Sequence, residues 1–137
     1  MPCFERSRAC LRVMGDSLVP EEISLLLGSE ATQAQRKGEE IIGASSGRVR
    51  TARIGMWNLI AEPREPEDLG GQIEELFGRL TNDLAAWAAI RKTCRIDLFC
   101  GLFMGSGNAG ILLLPRHLLL LGERGIELDL DIYDASN

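Results

Sequence analysis

The apolar positions of this chain recur with two different spacings, and the spacing changes several times along the sequence. Apolar side chains three and four residues apart predict one helix over residues 69–87, about 20 residues and roughly 30 Å long. The residues that form this stripe are Leu69, Ile73, Leu76, Phe77, Leu80, Leu84 and Trp87. Two shorter helices are predicted where a proline stands in the first turn, one from Pro20 to a stop at Gly28 and one from Pro115 to a turn at Gly125.

Strands are predicted on both sides of these helices. Residues 9–14 form a short strand, and residues 48–60 favour a long strand whose apolar phase shifts at Gly55, which predicts a β-bulge there. Residues 95–104 have apolar side chains at both odd and even positions, so both faces of this strand are expected to be covered, as is typical of a central strand. Residues 126–133 alternate apolar and acidic side chains, so this last strand is predicted to be half-buried.

This order of elements predicts an α+β fold, a two-layer sandwich with a mostly antiparallel or mixed β-sheet and helices packed on one face. The polar segment 29–47 shows little pattern apart from a short strand predicted at residues 41–42. Residues 18–26 resemble residues 113–121, which indicates either two ferredoxin-like βαβ halves or a chance similarity of two leucine-rich helices. A length of 137 residues predicts a single domain over residues 1–137.

Charge and hydropathy exclude some classes of partner. The chain carries 15 Lys and Arg against 20 Asp and Glu, a net charge of −5. It therefore lacks the broad positive field that captures phosphate backbones, and nucleic acid is not expected as a partner. The longest apolar run, within residues 111–121, is interrupted by Pro115, Arg116 and His117, so no membrane span is expected either.

The thiols and the single histidine do not predict a metal or cofactor site. The four cysteines contain no C-x-x-C pair, so reduced thiols and a cytoplasmic location are expected. Cys10 and Cys100 lie in mid-strand among apolar neighbours, where a thiol acts as a small hydrophobe. His117 is predicted to be a surface residue, and Trp57 and Trp87 are predicted to be core residues.

Two motifs each permit a chemical interpretation and a structural one. Residues 105–110 match G-x-G-x-x-G through Gly105, Gly107 and Gly110, but Pro115 follows too closely for the helix of a dinucleotide site, which favours a flexible turn. The acidic face of the last strand could hold a divalent metal together with Asp97, or could instead be solvated or paired with arginines of residues 48–53. The acidic residues concerned are Glu127, Asp129 and Asp131.

Four segments, taken in order, resemble a bacterial family of domains of unknown function that has about this length. They are Val13 to Ile23, Arg36-Lys37-Gly38, Met56 to Leu59 and Leu128 to Tyr133. The resemblance implies a small cytoplasmic α+β domain without an assigned reaction, and it supplies no catalytic residues to carry over. The glycine-rich loop after Phe103 departs from the family's pattern.

The leading functional hypothesis is a non-enzymatic binding or protein-interaction module of an immunity-like or regulatory kind. One histidine and scattered carboxylates do not assemble a nucleophile, a base and an orienting group. The candidate binding residues are Asp16, Arg36, Lys37 and Trp57, and the expected partner is an unknown protein or a small anionic ligand. The alternatives are a divalent-metal-dependent hydrolase that uses the acidic strand face, and a homodimer built through a sheet edge or an apolar face.

Overall fold

The computed structural model describes residues 2–135, which form four helices and seven strands. In chain order these are β1 (Arg6–Gly15), α1 (Pro20–Leu27), β2 (Gln33–Gln35), β3 (Glu40–Ile42), β4 (Val49–Thr51), β5 (Gly55–Ile60), α2 (Leu69–Arg79), α3 (Leu84–Arg91), β6 (Arg95–Phe103), α4 (Pro115–Glu123) and β7 (Glu127–Tyr133). None of these helices combines the length and apolarity that a membrane span requires.

Five strands form one mixed sheet in the order β2-β5-β1-β6-β7, and β3 pairs with β4 in a separate hairpin. Only β6 and β7 are parallel, and α4 connects them as a βαβ unit. The other half is different, because β1 and β5 are antiparallel neighbours and α1 does not cross between parallel strands. The α+β sandwich is confirmed, while only one of the two expected halves is a βαβ unit.

The core lies on one face of the sheet, between the strands and the helices. Leu11, Trp57 and Leu98 point from three adjacent strands toward this layer and have no exposed surface. The helices contribute their apolar stripes, including Ile73 of α2 and Trp87 of α3, both fully buried. The opposite side of the sheet, called the open face below, carries no helix of residues 2–135.

The helix predicted over residues 69–87 is wrong as a single element, because the chain breaks between α2 and α3. Leu80 takes an extended backbone (φ −108°, ψ 157°), and Asp83 starts α3 by accepting the Ala85 N–H through its side chain at 3.0 Å. Thr, Asn and Asp side chains are more favourable at the N-terminal cap of a helix than in its interior, and they occupy positions 81–83. The apolar stripe continues across the break because both helices pack on the same core.

The long strand predicted over residues 48–60 is also divided. The shift in apolar phase at Gly55 marks the change from the separate hairpin to the main sheet, since β4 ends at Thr51 and β5 begins at Gly55. The short strand predicted at residues 41–42 is confirmed within β3.

The last strand is an edge strand, and the prediction that it is half-buried is wrong. Leu128, Leu130 and Ile132 point toward the helix layer but remain 38%, 40% and 53% exposed. The helix layer therefore stops short of this edge of the sheet.

Candidate functional site

Three of the four residues singled out in the sequence lie together at one corner of the molecule. Lys37 Nζ lies 3.2 Å from Asp16 Oδ2, and Arg36 Nη2 donates to Glu21 Oε2 at 2.9 Å. Asp16 follows β1 and Glu21 is in the first turn of α1, so these two ion pairs connect the chain after β2 to the main body. All four side chains are exposed, and such pairs each contribute about 1 kcal/mol or less.

Trp57 does not belong to this surface. It has no exposed area and lies in the core, where its indole Nε1–H donates to Ser24 Oγ at 3.0 Å. The period of β5 places Trp57 and Leu59 on the helix side of the sheet, opposite the open face. Its interpretation as a core residue is confirmed, and the indole is not accessible to a binding partner.

The chain between β2 and β5 forms a projecting hairpin, residues 36–54, which we call the basic arm. Its base is held by a pair of backbone hydrogen bonds, from Gly38 N–H to Ala52 C=O and from Ala52 N–H to Glu39 C=O, both 2.8 Å. Ala52 itself is buried. The arm is thus anchored at its base by backbone bonds and by the Lys37 and Arg36 ion pairs.

The arm exposes groups that proteins usually pair or bury. Within residues 2–135, the side chains of Arg48, Arg50 and Arg53 make no ion pair and no hydrogen bond. Ile42 and Val49 are cross-strand partners that remain 70% and 59% exposed. In the sequence, the only indication of an exposed strand here is the alternation of Arg48 and Arg50 with Val49 and Thr51.

Two clefts border the arm, and Arg50 lines both. One, of about 380 Å³, lies between the arm and the open face, with Gln33 and Gln35 on its sheet side and Glu39 opposite. The other, of about 730 Å³, is lined by Lys37, Arg50 and Arg53. The second cleft presents cationic groups beside neutral polar ones, a combination that suits carboxylate ligands, whereas the first also contains the carboxylate of Glu39.

The open face carries a buried ion pair at its centre. Arg12 of β1 donates to both carboxylate oxygens of Asp97 on β6, at 2.8 and 2.6 Å, and its guanidinium lies 4.5 Å from the centre of the Phe99 ring. The hydrogen bond to Asp97 raises the pKa of Arg12. Asp97 is 1% exposed, so this bidentate pair holds the two central strands in register and leaves no free carboxylate for a ligand.

The acidic face of β7 does not gather into a metal site. Glu127 pairs with Arg95 at 3.1 Å, and Asp129 lies 3.6 Å from Arg12. Asp131 accepts the Tyr133 hydroxyl at 2.6 Å. Among residues 2–135, no three histidine, cysteine or acidic side chains are placed to hold a metal ion together.

His117 is buried, and the prediction that it is a surface residue is wrong. It stands three positions after Leu114 at the start of α4, and its Nδ1 accepts the Leu114 N–H at 3.0 Å. Its Nε2 lies 3.3 Å from Glu74 Oε1 and makes no hydrogen bond within residues 2–135. The contact of Nδ1 with the Leu114 N–H shows that the ring satisfies a backbone donor at the start of α4.

The thiols in mid-strand are unreactive groups. Burial raises the pKa of Cys10 to about 11 and that of Cys100 to about 12. All four cysteines are unpaired. The interpretation as a small hydrophobe agrees with the environment of Cys100, whereas Cys10 is half-buried on the open face, near the charges of Arg12 and Asp97.

The fold and this surface define a class of protein, a small α+β sandwich with an open sheet face and a projecting basic hairpin. The chain belongs to the family described as Domain of unknown function (DUF4279), which matches residues 5–135. The expectation that the chain belongs to a family of domains of unknown function is thereby confirmed. No curated protein and no solved structure shows a significant match to the chain.

Proposed function

We propose that this protein is a non-enzymatic protein-interaction module that binds an acidic partner through the basic arm. The observation that carries the proposal is the coexistence, on one anchored hairpin, of an exposed Ile42–Val49 pair and three arginines that have no ionic partner in the part of the chain that the structure describes. Asp16, Arg36 and Lys37, which the sequence indicated as binding residues, are proposed here to anchor the arm through their ion pairs.

The charge of the arm is opposite to that of the whole molecule. Residues 36–54 carry five basic and two acidic side chains in a chain that has 15 and 20. The local positive potential of the arm attracts acidic surfaces. The acidic remainder of the molecule repels them, so an acidic partner is expected to contact the arm. The partner is therefore expected to present carboxylates to Arg48, Arg50 and Arg53.

The two faces of the hairpin favour a protein over a small anion. Ile42 and Val49 share one face, whereas Ile41 and Arg50 share the other, because directly paired residues project on the same side. A small anion would satisfy only the arginines. A protein partner would also cover the apolar pair, and aliphatic burial contributes about 25 cal/mol per Å² removed from water.

The hairpin is also the element that would gain most from a partner. A two-stranded hairpin is at best marginally stable in water unless its face is packed. Here each strand has three residues, and its anchors lie at one end. Contact with a partner would therefore stabilise the arm.

We also propose that the protein works in the reducing cytoplasm. Its four cysteines are all free thiols, and thiols remain reduced in that compartment.

The test is binding of a fluorescent peptide that alternates glutamate with leucine, followed by anisotropy at low salt. We expect saturable binding that weakens as salt rises, because the contacts are ionic and exposed. The variant Arg48→Ala/Arg50→Ala/Arg53→Ala should weaken binding about tenfold or more. Ile42→Ser/Val49→Ser should weaken it while leaving the salt dependence in place.

The matched control removes three positive charges from the helix side, as Arg79→Ala/Arg91→Ala/Lys92→Ala. It has the same net charge as the arm variant, so it should bind the peptide as the natural protein does. Equal losses in the two triple variants, or no binding by the natural protein, would contradict the proposal.

A further inference from the structure

The free edge of the main sheet carries an unusual combination of side chains. Within residues 2–135, β7 pairs with β6 on one side and with no strand on the other. Its helix-side residues Leu128, Leu130 and Ile132 are substantially exposed, while acidic residues alternate with them on the open-face side. Charged residues often protect an edge strand, but they also select a partner strand of opposite charge.

The basic arm offers a strand with the complementary pattern. Among the described residues β4 pairs only with β3, which leaves its outer side free. Arg48 and Arg50 alternate with Val49 and Thr51. Set beside β7, this strand would place arginines along the acidic face and Val49, with Ile42 behind it, along the leucine face.

We propose that the acidic partner of the basic arm is a second copy of this chain, whose β7 edge pairs alongside β4. The inference rests on the proposed function and names the partner of that site. The pairing would cover the free edges of both β4 and β7. The arginines of β4 would meet the acidic side chains of β7, and the exposed apolar residues of the two strands would cover each other.

The two edges cannot meet within one molecule. The arm lies beside β2 and β5, where its cleft is lined by both strands, and β7 forms the opposite edge of the sheet. Four strand spacings of about 4.8 Å separate β2 from β7, or about 19 Å. Pairing of β4 with β7 therefore joins two copies.

Such a contact uses two different surfaces, so it is head-to-tail and can add further copies until a ring closes. Because β4 has three residues, the pairing is short and the association should be weak, in the range of transient complexes. Its strength should fall with added salt, because the acidic and basic side chains face water.

The experiment is sedimentation velocity from about 10 to 500 µM at low salt, a range suited to weak interfaces. The arm variant is Arg48→Glu/Arg50→Glu, and the strand variant is Asp129→Asn/Asp131→Asn. For each variant alone, the dissociation constant for self-association should be at least about fivefold higher than for the natural protein. The control Glu22→Gln/Glu30→Gln removes two acidic charges away from β7 and should associate normally.

Mixing the two variants gives the decisive result. The arm variant keeps an intact β7 and the strand variant keeps an intact β4, so an equimolar mixture should form a one-to-one complex that does not grow further. A natural protein that stays monomeric throughout, variants that associate normally, or a mixture that stays monomeric would each overturn the inference.

The outcome also separates this inference from the function on which it rests. If the natural protein is monomeric but the glutamate–leucine peptide still binds and loses affinity with the arm variant, self-association is excluded and the arm keeps its role. If the peptide does not bind and no association occurs, both proposals fail.

Discussion

The imidazole of His117 occupies the space beside the first turn of α2, and one glycine makes room for it. A Cβ added at Gly70 would lie 2.6 Å from His117 Cε1, closer than non-bonded atoms approach. The same helix contains Gly78, where an added Cβ meets nothing within 4 Å. These two glycines separate the effect of packing from that of helix propensity.

Gly70→Ala should lower the free energy of unfolding by about 1 to 3 kcal/mol, because the ring and the helix must move apart. Gly78→Ala should raise it by about 0.5 to 1 kcal/mol, since alanine is the better helix former. Urea denaturation of both variants measures the difference. A stabilising Gly70→Ala would show that His117 is not packed as described.

The four thiols should differ in reactivity according to burial. Cys3 is exposed, whereas burial raises the pKa of Cys10 to about 11 and that of Cys100 to about 12. At neutral pH the half-buried Cys10 and the buried Cys100 therefore hold almost no thiolate, which is the reactive form. Mass spectrometry after brief iodoacetamide treatment should find Cys3 labelled and Cys10 and Cys100 labelled only in urea. Early labelling of Cys100 would contradict the placement of β6 in the core.

The spacing of apolar residues predicts which side chains of a helix pack on the core better than it predicts where each helix or strand ends. The stripe from Leu69 to Trp87 does face the core, but Asp83 starts a new helix within it. The apolar alternation of β7 is equally clear, yet nothing in a single strand's pattern says whether a helix reaches it. Whether Leu130 is covered depends on where α4 lies, which local pattern does not specify.

Glu75 of α2 connects that helix to the chain after β5. It accepts hydrogen bonds from Arg64 at 2.7 Å and from the Glu62 N–H at 3.0 Å, with Arg79 also nearby. Burial acts to raise the pKa of Glu75, but these bonds and charges prevail and lower it. The folded protein therefore favours the ionised carboxylate more than the unfolded chain does.

A lowered folded pKa gives stability that is fully present above the unfolded value and is lost as pH falls through the folded one. Glu75→Gln should thus lower the free energy of unfolding by about 1 kcal/mol at pH 7. The difference from the natural protein should shrink as pH falls below about 4.3, the ordinary glutamate pKa. Thermal melts from pH 7 to pH 3 measure it, and a difference that grows on acidification would contradict the assigned ion pairs.

At the scale of the whole molecule, the proposed binding surface lies on one contiguous hairpin, but the contacts that anchor this hairpin come from parts of the chain that are distant in sequence. Asp16 and Lys37 were recognisable as candidates, but their pairing depends on the approach of the arm to the turn after β1. Trp57 is near the arginines in sequence and on the opposite side of the sheet in space. The exposed Ile42–Val49 pair was not predictable, because the sequence does not show that the hairpin leaves the main sheet.

The charge distribution follows from the same architecture. The basic arm lies beside one edge of the sheet and the acidic strand forms the other edge, so the molecule has two ends of opposite character. The Arg12–Asp97 pair of the open face lies between these ends and joins the two central strands. Function in this molecule is therefore expected from surface complementarity at the arm.

Nuclear magnetic resonance of the ¹⁵N-labelled protein during titration with the glutamate–leucine peptide locates the surface that the peptide contacts. Amide shifts should concentrate in residues 36–54 and disappear in Arg48→Ala/Arg50→Ala/Arg53→Ala. Shifts centred on the helix layer instead, or none at all, would contradict the proposed role of the arm.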